Sequence, residues 1–201
     1  MYGLHVRTTA PASLSEATLH EAALAYLTHR PASVAQMRRV LARKIATWAR
    51  RASKTSEDES ATSAAVARAE SAAAAVVASL RTSGLLDDAR FAEQRAGRLT
   101  RAGKSRRAVE LSLVKSGVGT TLARDASSSD ADTELAAAVM HTRKKRMGAF
   151  ARDVEAASDP KVRRRWLGSL ARAGYSFGVA ERALRMDREA AEDLLRELSR
   201  S

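Results

Sequence analysis

Apolar residues recur along most of this chain three and four positions apart, and glycines, prolines and capping residues divide the stripes into short helices. Ser13-Leu14-Ser15-Glu16 fits a capping box, and Leu19, Ala22, Ala23, Tyr26 and Leu27 follow at helical spacing. A first helix is therefore predicted from near Ser13 until Pro31 stops it. Residues 1–12, with Pro11 and no periodicity, read as a flexible arm. Ser33-Val34-Ala35-Gln36 offers a second capping box, with Val34, Met37, Leu41, Ile45 and Trp48 as the stripe behind it. Between Ala52 and Ser63 the text turns to Ser, Thr, Lys, Glu and Asp, which predicts a polar linker or frayed helix end. Val66, Ala69, Ala73, Val76 and Leu80 restore a stripe that Gly84 terminates.

The stretch Gly84-Leu85-Leu86-Asp87-Asp88-Ala89-Arg90-Phe91-Ala92-Glu93 joins one helical unit to the next. Leu85 and Leu86 are candidates for burial in the turn. Asp88 is placed to cap the following helix, Asp87 adds negative charge at its positive end, and Phe91 is its first large core residue. Phe91, Ala92, Ala96 and Leu99 then share a face until Gly103, and Ser105 caps a helix with Val109 and Leu113 that ends at Gly117. A short segment through Leu122 and Ala126 stops at Ser127-Ser128-Ser129-Asp130. Leu135, Ala138, Val139 and Met147 mark the next helix. After Pro160, Val162, Trp166 and Leu170 lead to Gly174, Ser176 caps a helix with Val179, Ala183 and Leu184, and Leu194, Leu195 and Leu198 carry helix toward the end.

One arrangement occurs twice: Leu113, Gly117, Leu122 and Ala126 have the spacing of Leu170, Gly174, Val179 and Ala183. That describes a repeated helix-turn-helix module. The expected organisation is a three-helix repeat over 13–86 with a polar insertion near 52–63, a second over 87–148, and a third helical repeat with a C-terminal helix over 149–201. Units this small enclose little core, so stacking or alignment along a partner is expected.

Composition supports an all-α fold: 45% of residues are hydrophobic, only 4% aromatic, and the 201 residues include 3 prolines. Zero cysteines exclude disulfides and thiolate chemistry. The pattern shows neither a long apolar run nor a leader, so a cytoplasmic monomer with no membrane partner is expected. Charge changes the picture most. Thirty-five Lys and Arg against 23 Asp and Glu give +12 and a pI near 10.9, a standing attraction for polyanions and above all for nucleic acid.

No catalytic grouping emerges, and neither a cofactor nor a metal is expected. There is no phosphate-binding Gly-x-x-x-x-Gly-Lys-Ser/Thr loop, and His5, His20, His29 and His141 have no i, i+4 partner for a metal. Three basic clusters remain: Arg101, Lys104, Arg106 and Arg107; Arg143, Lys144, Lys145 and Arg146; Lys161, Arg163, Arg164 and Arg165. Each suits phosphates or an acidic protein surface. Cations at a helix C-terminus favour the dipole, whereas Arg106, Arg107 and Arg163 to Arg165 sit at N-termini, where charge of that sign is unfavourable and points to binding. Trp48, Phe91 and Trp166 fall on core stripes. Tyr175 and Phe177, in the turn after Gly174, fit either a partner contact or a cap over the last repeat.

The run Leu85-Leu86-Asp87-Asp88-Ala89-Arg90-Phe91-Ala92, with Gly103-Lys104-Ser105, Leu113-Val114-Lys115-Ser116-Gly117 and Leu167-Gly168-Ser169-Leu170-Ala171-Arg172-Ala173-Gly174-Tyr175-Ser176, resembles the RecX family of recombinase regulators. The likeness spans roughly residues 18 to 186. It implies tandem three-helix repeats in an elongated, curved chain lying in the groove of the RecA–DNA filament. It also implies modulation of that filament's ATPase, strand-exchange and coprotease activities in DNA repair, homologous recombination and the SOS response. In the family the second helix of the first repeat runs into a turn glycine, whereas here Ile45 and Trp48 continue it. A plain helix-turn-helix DNA-binding protein is the rival reading, although Thr120, Thr121, Ser176 and Phe177 are thin material for reading bases.

Overall fold

A computed structural model describes residues 14–55, 58–153 and 158–200, and every regular element among them is helical. The predicted arm and Ser13 lie outside the described residues. The chain divides into two compact units, residues 1–88 and 89–201.

The first unit holds α1 (Glu16–His29), α2 (Val34–Thr55) and α3 (Glu59–Thr82). Ser15 caps α1 by accepting the amide of Thr18. The capping box of α2 closes in both directions: Gln36 N–H donates to Ser33 Oγ and Ser33 N–H to Gln36 Oε1, each at 3.1 Å. The polar linker or frayed helix end expected over 52–63 is corrected in its extent, because α2 takes in 52–55 and α3 takes in 59–63; residues 56 and 57 lie outside the described residues. Ala52 is buried, the hydroxyls of Ser53, Thr55 and Thr62 donate back to carbonyls of the preceding turn, and Asp58 caps α3 through the amide of Ala61. Polar side chains that bond their own helix need no loop.

Leu19 and Ala23 of α1, Met37, Leu41 and Ile45 of α2, and Ala69, Val76, Val77 and Leu80 of α3 form one core, which Leu86 completes. Burying each large aliphatic side chain contributes roughly 1.5–3 kcal/mol. Leu86 is buried but Leu85 is 52% exposed, so only one leucine of the expected pair enters the core. α3, alanine-rich and 24 residues long, is by length and composition apolar enough to cross a membrane, which the sequence pattern did not lead us to expect. Its stripe packs on α1 and α2.

Asp88, the last residue of this unit, departs from its expected role. Its Oδ1 accepts the amide of Val34 at 2.8 Å, so the carboxylate caps α2, 54 positions back, while Asp88 itself is the first residue of α4.

The second unit contains α4 (Asp88–Arg101) from Ala89 onward, α5 (Arg106–Lys115), α6 (Thr120–Ser127) and α7 (Ala131–Lys145), then a short 3-10 helix (Gly148–Phe150). It ends with α8 (Pro160–Arg172), α9 (Phe177–Arg185) and α10 (Arg188–Arg200). Phe91, Ala92, Ala96, Val109, Leu113, Val118 and Ala123 gather α4 to α6 around one core. Leu135, Val139, Met147, Leu170, Tyr175, Ala183, Leu184 and Leu195 gather α7 to α10 around another. The predicted caps Ser105 and Ser176 accept the amides of Ala108 and Val179, and Asp130, expected only as part of a helix break, accepts the amide of Thr133 and caps α7. Gly117 and Gly174 take φ of 90° and 93° where α5 and α8 end.

Candidate polyanion-binding surface

The turns that carry the basic residues are held by backbone geometry. Lys104 N–H donates to Leu99 O at 3.0 Å and Tyr175 N–H to Leu170 O at 3.1 Å, the closing bond of a glycine-terminated helix in each case. Both turns belong to one repeated run, Gly-Arg-Leu-Thr-Arg-Ala-Gly-Lys-Ser at 97–105 and Gly-Ser-Leu-Ala-Arg-Ala-Gly-Tyr-Ser at 168–176. They also meet. Ser105 Oγ donates to Ala173 O at 2.7 Å, and Gly103 packs so closely on α7 that a Cβ there would lie 2.9 Å from the backbone nitrogen of His141.

That docking gathers cations from distant parts of the sequence. Lys144 Nζ donates to Ala102 O at 2.8 Å, beyond the C-terminal end of α4, and Lys145, Lys104 and Lys144 surround His141. Burial is the main reason His141 is held below the ordinary imidazole range, and the three lysines push it further the same way against a hydrogen bond with the backbone of Gly103. Its Nε2 is buried with no hydrogen-bond partner among the described residues, and its ring meets Tyr175 edge-on at 5.9 Å.

Arg106 and Arg107 stand exposed at the start of α5, over a cavity of about 510 Å³ that Ser129, Glu134, Tyr175 and Val179 also line. The cost expected for cations at this N-terminus is offset. Both carboxylate oxygens of Glu134 accept the backbone amide of Arg106, at 3.2 and 3.3 Å, and supply the negative charge the dipole favours. Lys161, Arg164 and Arg165 lie exposed along α8. Arg163 is a correction to the third cluster: half-buried, it turns to Glu181 of α9 at 3.6 Å and serves the unit's own packing.

The remaining signature residues separate by burial. Phe91, Leu113, Leu170 and Tyr175 are core, and Asp87 and Arg90 are exposed. Of the two aromatic residues left open, Tyr175 is buried at 4% exposure, where loss of solvent and the charge of Glu134 push its phenol well above the usual range, and Phe177 is 68% exposed.

Four residues stand outside the binding candidates named from the sequence. Glu134 and His141 act through contacts across the fold. Arg95 lies over the Phe91 ring and donates to Ser112 Oγ at 3.1 Å, with burial lowering its pKa. Arg172, exposed at the end of α8, was legible as the counterpart of Arg101 in the repeated nine-residue run. Among the described residues no group of three His, Cys, Asp or Glu side chains is placed to hold a metal ion.

No protein-family model matches the chain, and no solved structure matches it. The chain is similar to the regulatory protein RecX of Myxococcus xanthus (strain DK1622), 33% identical over 178 residues, which cover 87% of this chain and 88% of that protein. At that identity and coverage, with an all-helical fold and the Leu-Leu-Asp-Asp-x-Arg-Phe-Ala run in place, the chain belongs to the RecX family of regulatory proteins.

Proposed function

We propose that this protein is a non-enzymatic regulator that binds the RecA–DNA filament and depresses its ATPase, strand-exchange and coprotease activities in DNA repair and recombination. One observation carries the reading: of the ten cations singled out in the sequence, only Arg163 makes an ion pair among the described residues. Nine exposed charges with no ion pair among the described residues, on a member of a regulatory family, call for an external polyanion.

In this reading the helices act as tandem three-helix repeats set along the filament groove. The three separate cores support it, each drawn from successive helices, with α7 joining the last group. Arg106, Arg107, Lys104, Lys144 and Lys145 reach phosphates or acidic protein surface. By bridging neighbouring subunits or capping the growing end, the protein favours a filament state that turns over less ATP, and it does so only through unequal affinity for the two states. No step requires a cofactor, and the setting is the cytoplasm.

Co-sedimentation with RecA assembled on single-stranded DNA tests the proposal. The protein is expected in the filament pellet, and Arg106→Glu with Arg107→Glu is expected to return it to the supernatant. A wild-type protein that stays in the supernatant overturns the reading, and one that selects a particular duplex sequence without recombinase replaces it with the helix-turn-helix alternative.

A further inference from the structure

The cationic face of α8 is built unlike the rest of the basic surface. Lys161, Arg164, Arg165 and Arg172 line, with Pro160 and Gly168, an open groove of about 510 Å³. These positions follow i, i+3, i+4, i+7 and i+11 from Lys161, the spacing that normally builds an apolar stripe, so α8 carries a cationic stripe on one side. Like charges three and four apart repel, and only Lys161 stands in the first turn, where the Asp159 cap meets the positive end of the dipole, so the repulsion at Arg164 and Arg165 is left uncompensated by the helix end. None of the four makes an ion pair among the described residues. A fold that carries this internal repulsion is arranged for an anion from outside.

Gly168 supplies a second observation. Glycine inside a helix destabilises it relative to alanine. A Cβ on Gly168 would meet only Arg172 Nη1, at 3.4 Å, so the guanidinium lies back across the glycine. The same device recurs on α4, where a Cβ on Gly97 would lie 3.4 Å from Arg101 Nη1. The chain twice accepts a helix-weakening residue beneath an arginine. Each guanidinium rests against its own helix at the glycine, and a guanidinium is the planar fork that grips phosphate oxygens in pairs.

We propose that the α8 stripe is a seat for the phosphodiester backbone of a DNA strand, with Arg172 closing its far end and Arg101 the equivalent contact on α4. From Lys161 to Arg172 the helix rises roughly 16 Å, about the rise of five nucleotides of one strand. The assignment deepens the filament reading by giving this face to DNA rather than to the recombinase.

Binding of the full-length chain to a fluorescein-labelled thymidine oligonucleotide, and separately to a labelled duplex, tests it without recombinase. Each phosphate contact contributes about 0.7 to the slope of log affinity against log salt on single strands and about 0.9 on duplex. Arg164→Gln with Arg165→Gln and Arg172→Gln is expected to lower that slope by about 2 to 3, and Arg172→Gln alone by just under about one. Arg43→Gln with Arg68→Gln and Arg81→Gln removes the same charge from exposed positions of α2 and α3, and is expected to change the slope by less than about one. Retained helical circular dichroism keeps the comparison one of binding. Equal slopes for the two triple variants overturn the assignment. If the α8 variant then also fails to pellet with RecA–DNA filaments, the stripe faces protein, and the filament reading stands while this one falls.

Discussion

Ser105 donates its hydroxyl to the carbonyl of Ala173 at 2.7 Å while accepting the amide of Ala108 at 3.2 Å, so one side chain caps α5 and ties two turns together. The basic residues at 101–107 hang on that tie, because it fixes the α4–α5 turn on the α8–α9 turn. Ser105→Ala loses the cap and leaves the half-buried carbonyl of Ala173 without this hydrogen bond, at a cost of about 1–2 kcal/mol. Urea unfolding of the variant checks it, and an unchanged midpoint contradicts the role given to the hydroxyl.

Glycine substitutions separate strain from collision. Gly84 and Gly174 both have positive φ, but a Cβ on Gly84 meets nothing within 4 Å, whereas one on Gly174 falls 2.6 Å from Ser105 Oγ. Gly84→Ala is expected to cost roughly 1–2 kcal/mol from the left-handed backbone alone. Gly174→Ala is expected to cost about 3 kcal/mol or more, because the packed turn must also open. Equal losses in denaturant unfolding would show that the two turns are not docked as described.

Asp88→Ala removes the anion that accepts the amide of Val34, and about 1 kcal/mol of stability with it. Asp88→Asn, which keeps an acceptor oxygen, is expected to retain most of that stability. Hydrogen exchange at Val34 reports the difference directly, with faster exchange in the alanine variant.

How much of this was legible in the letters depended on range. The Ser33–Gln36 box and the caps at Ser105 and Ser176 could be read because cap and amide lie within three residues, whereas Asp130, at the same spacing from Thr133, was hidden in a serine run that reads as a break. The partners of Asp88 and Glu134 could not, since the amides of Val34 and Arg106 come near only when the chain folds. The polar text over 52–63 misled because serine and threonine stabilise loops and also bond their own helix, and composition does not distinguish the two. Arg163 resembled its neighbours Arg164 and Arg165 until the packing of α9 placed Glu181 beside it. The family, by contrast, was visible in the Leu85–Ala92 run before any coordinates.

His141 makes stability depend on pH. Burial first, then Lys145, Lys104 and Lys144, lower its pKa in the folded chain below the ordinary value of about 6.5 that it regains on unfolding. Between those two values the unfolded chain binds the extra proton, so stability rises with pH there and falls as pH drops below about 6.5, levelling once the folded form protonates too. Replacing His141 with glutamine is expected to flatten that part of the profile in thermal unfolding. A profile of undiminished slope would place the titration elsewhere.

The claim that this member of the RecX family restrains a recombinase filament is tested most directly by ATP turnover. Purified protein is titrated into RecA, ATP and single-stranded DNA, and hydrolysis is followed as filaments assemble. The account predicts a rate that falls as the protein is added and recovers part of the way when Arg106 and Arg107 are reversed to glutamate. A rate that stays constant through equimolar and higher protein would contradict it.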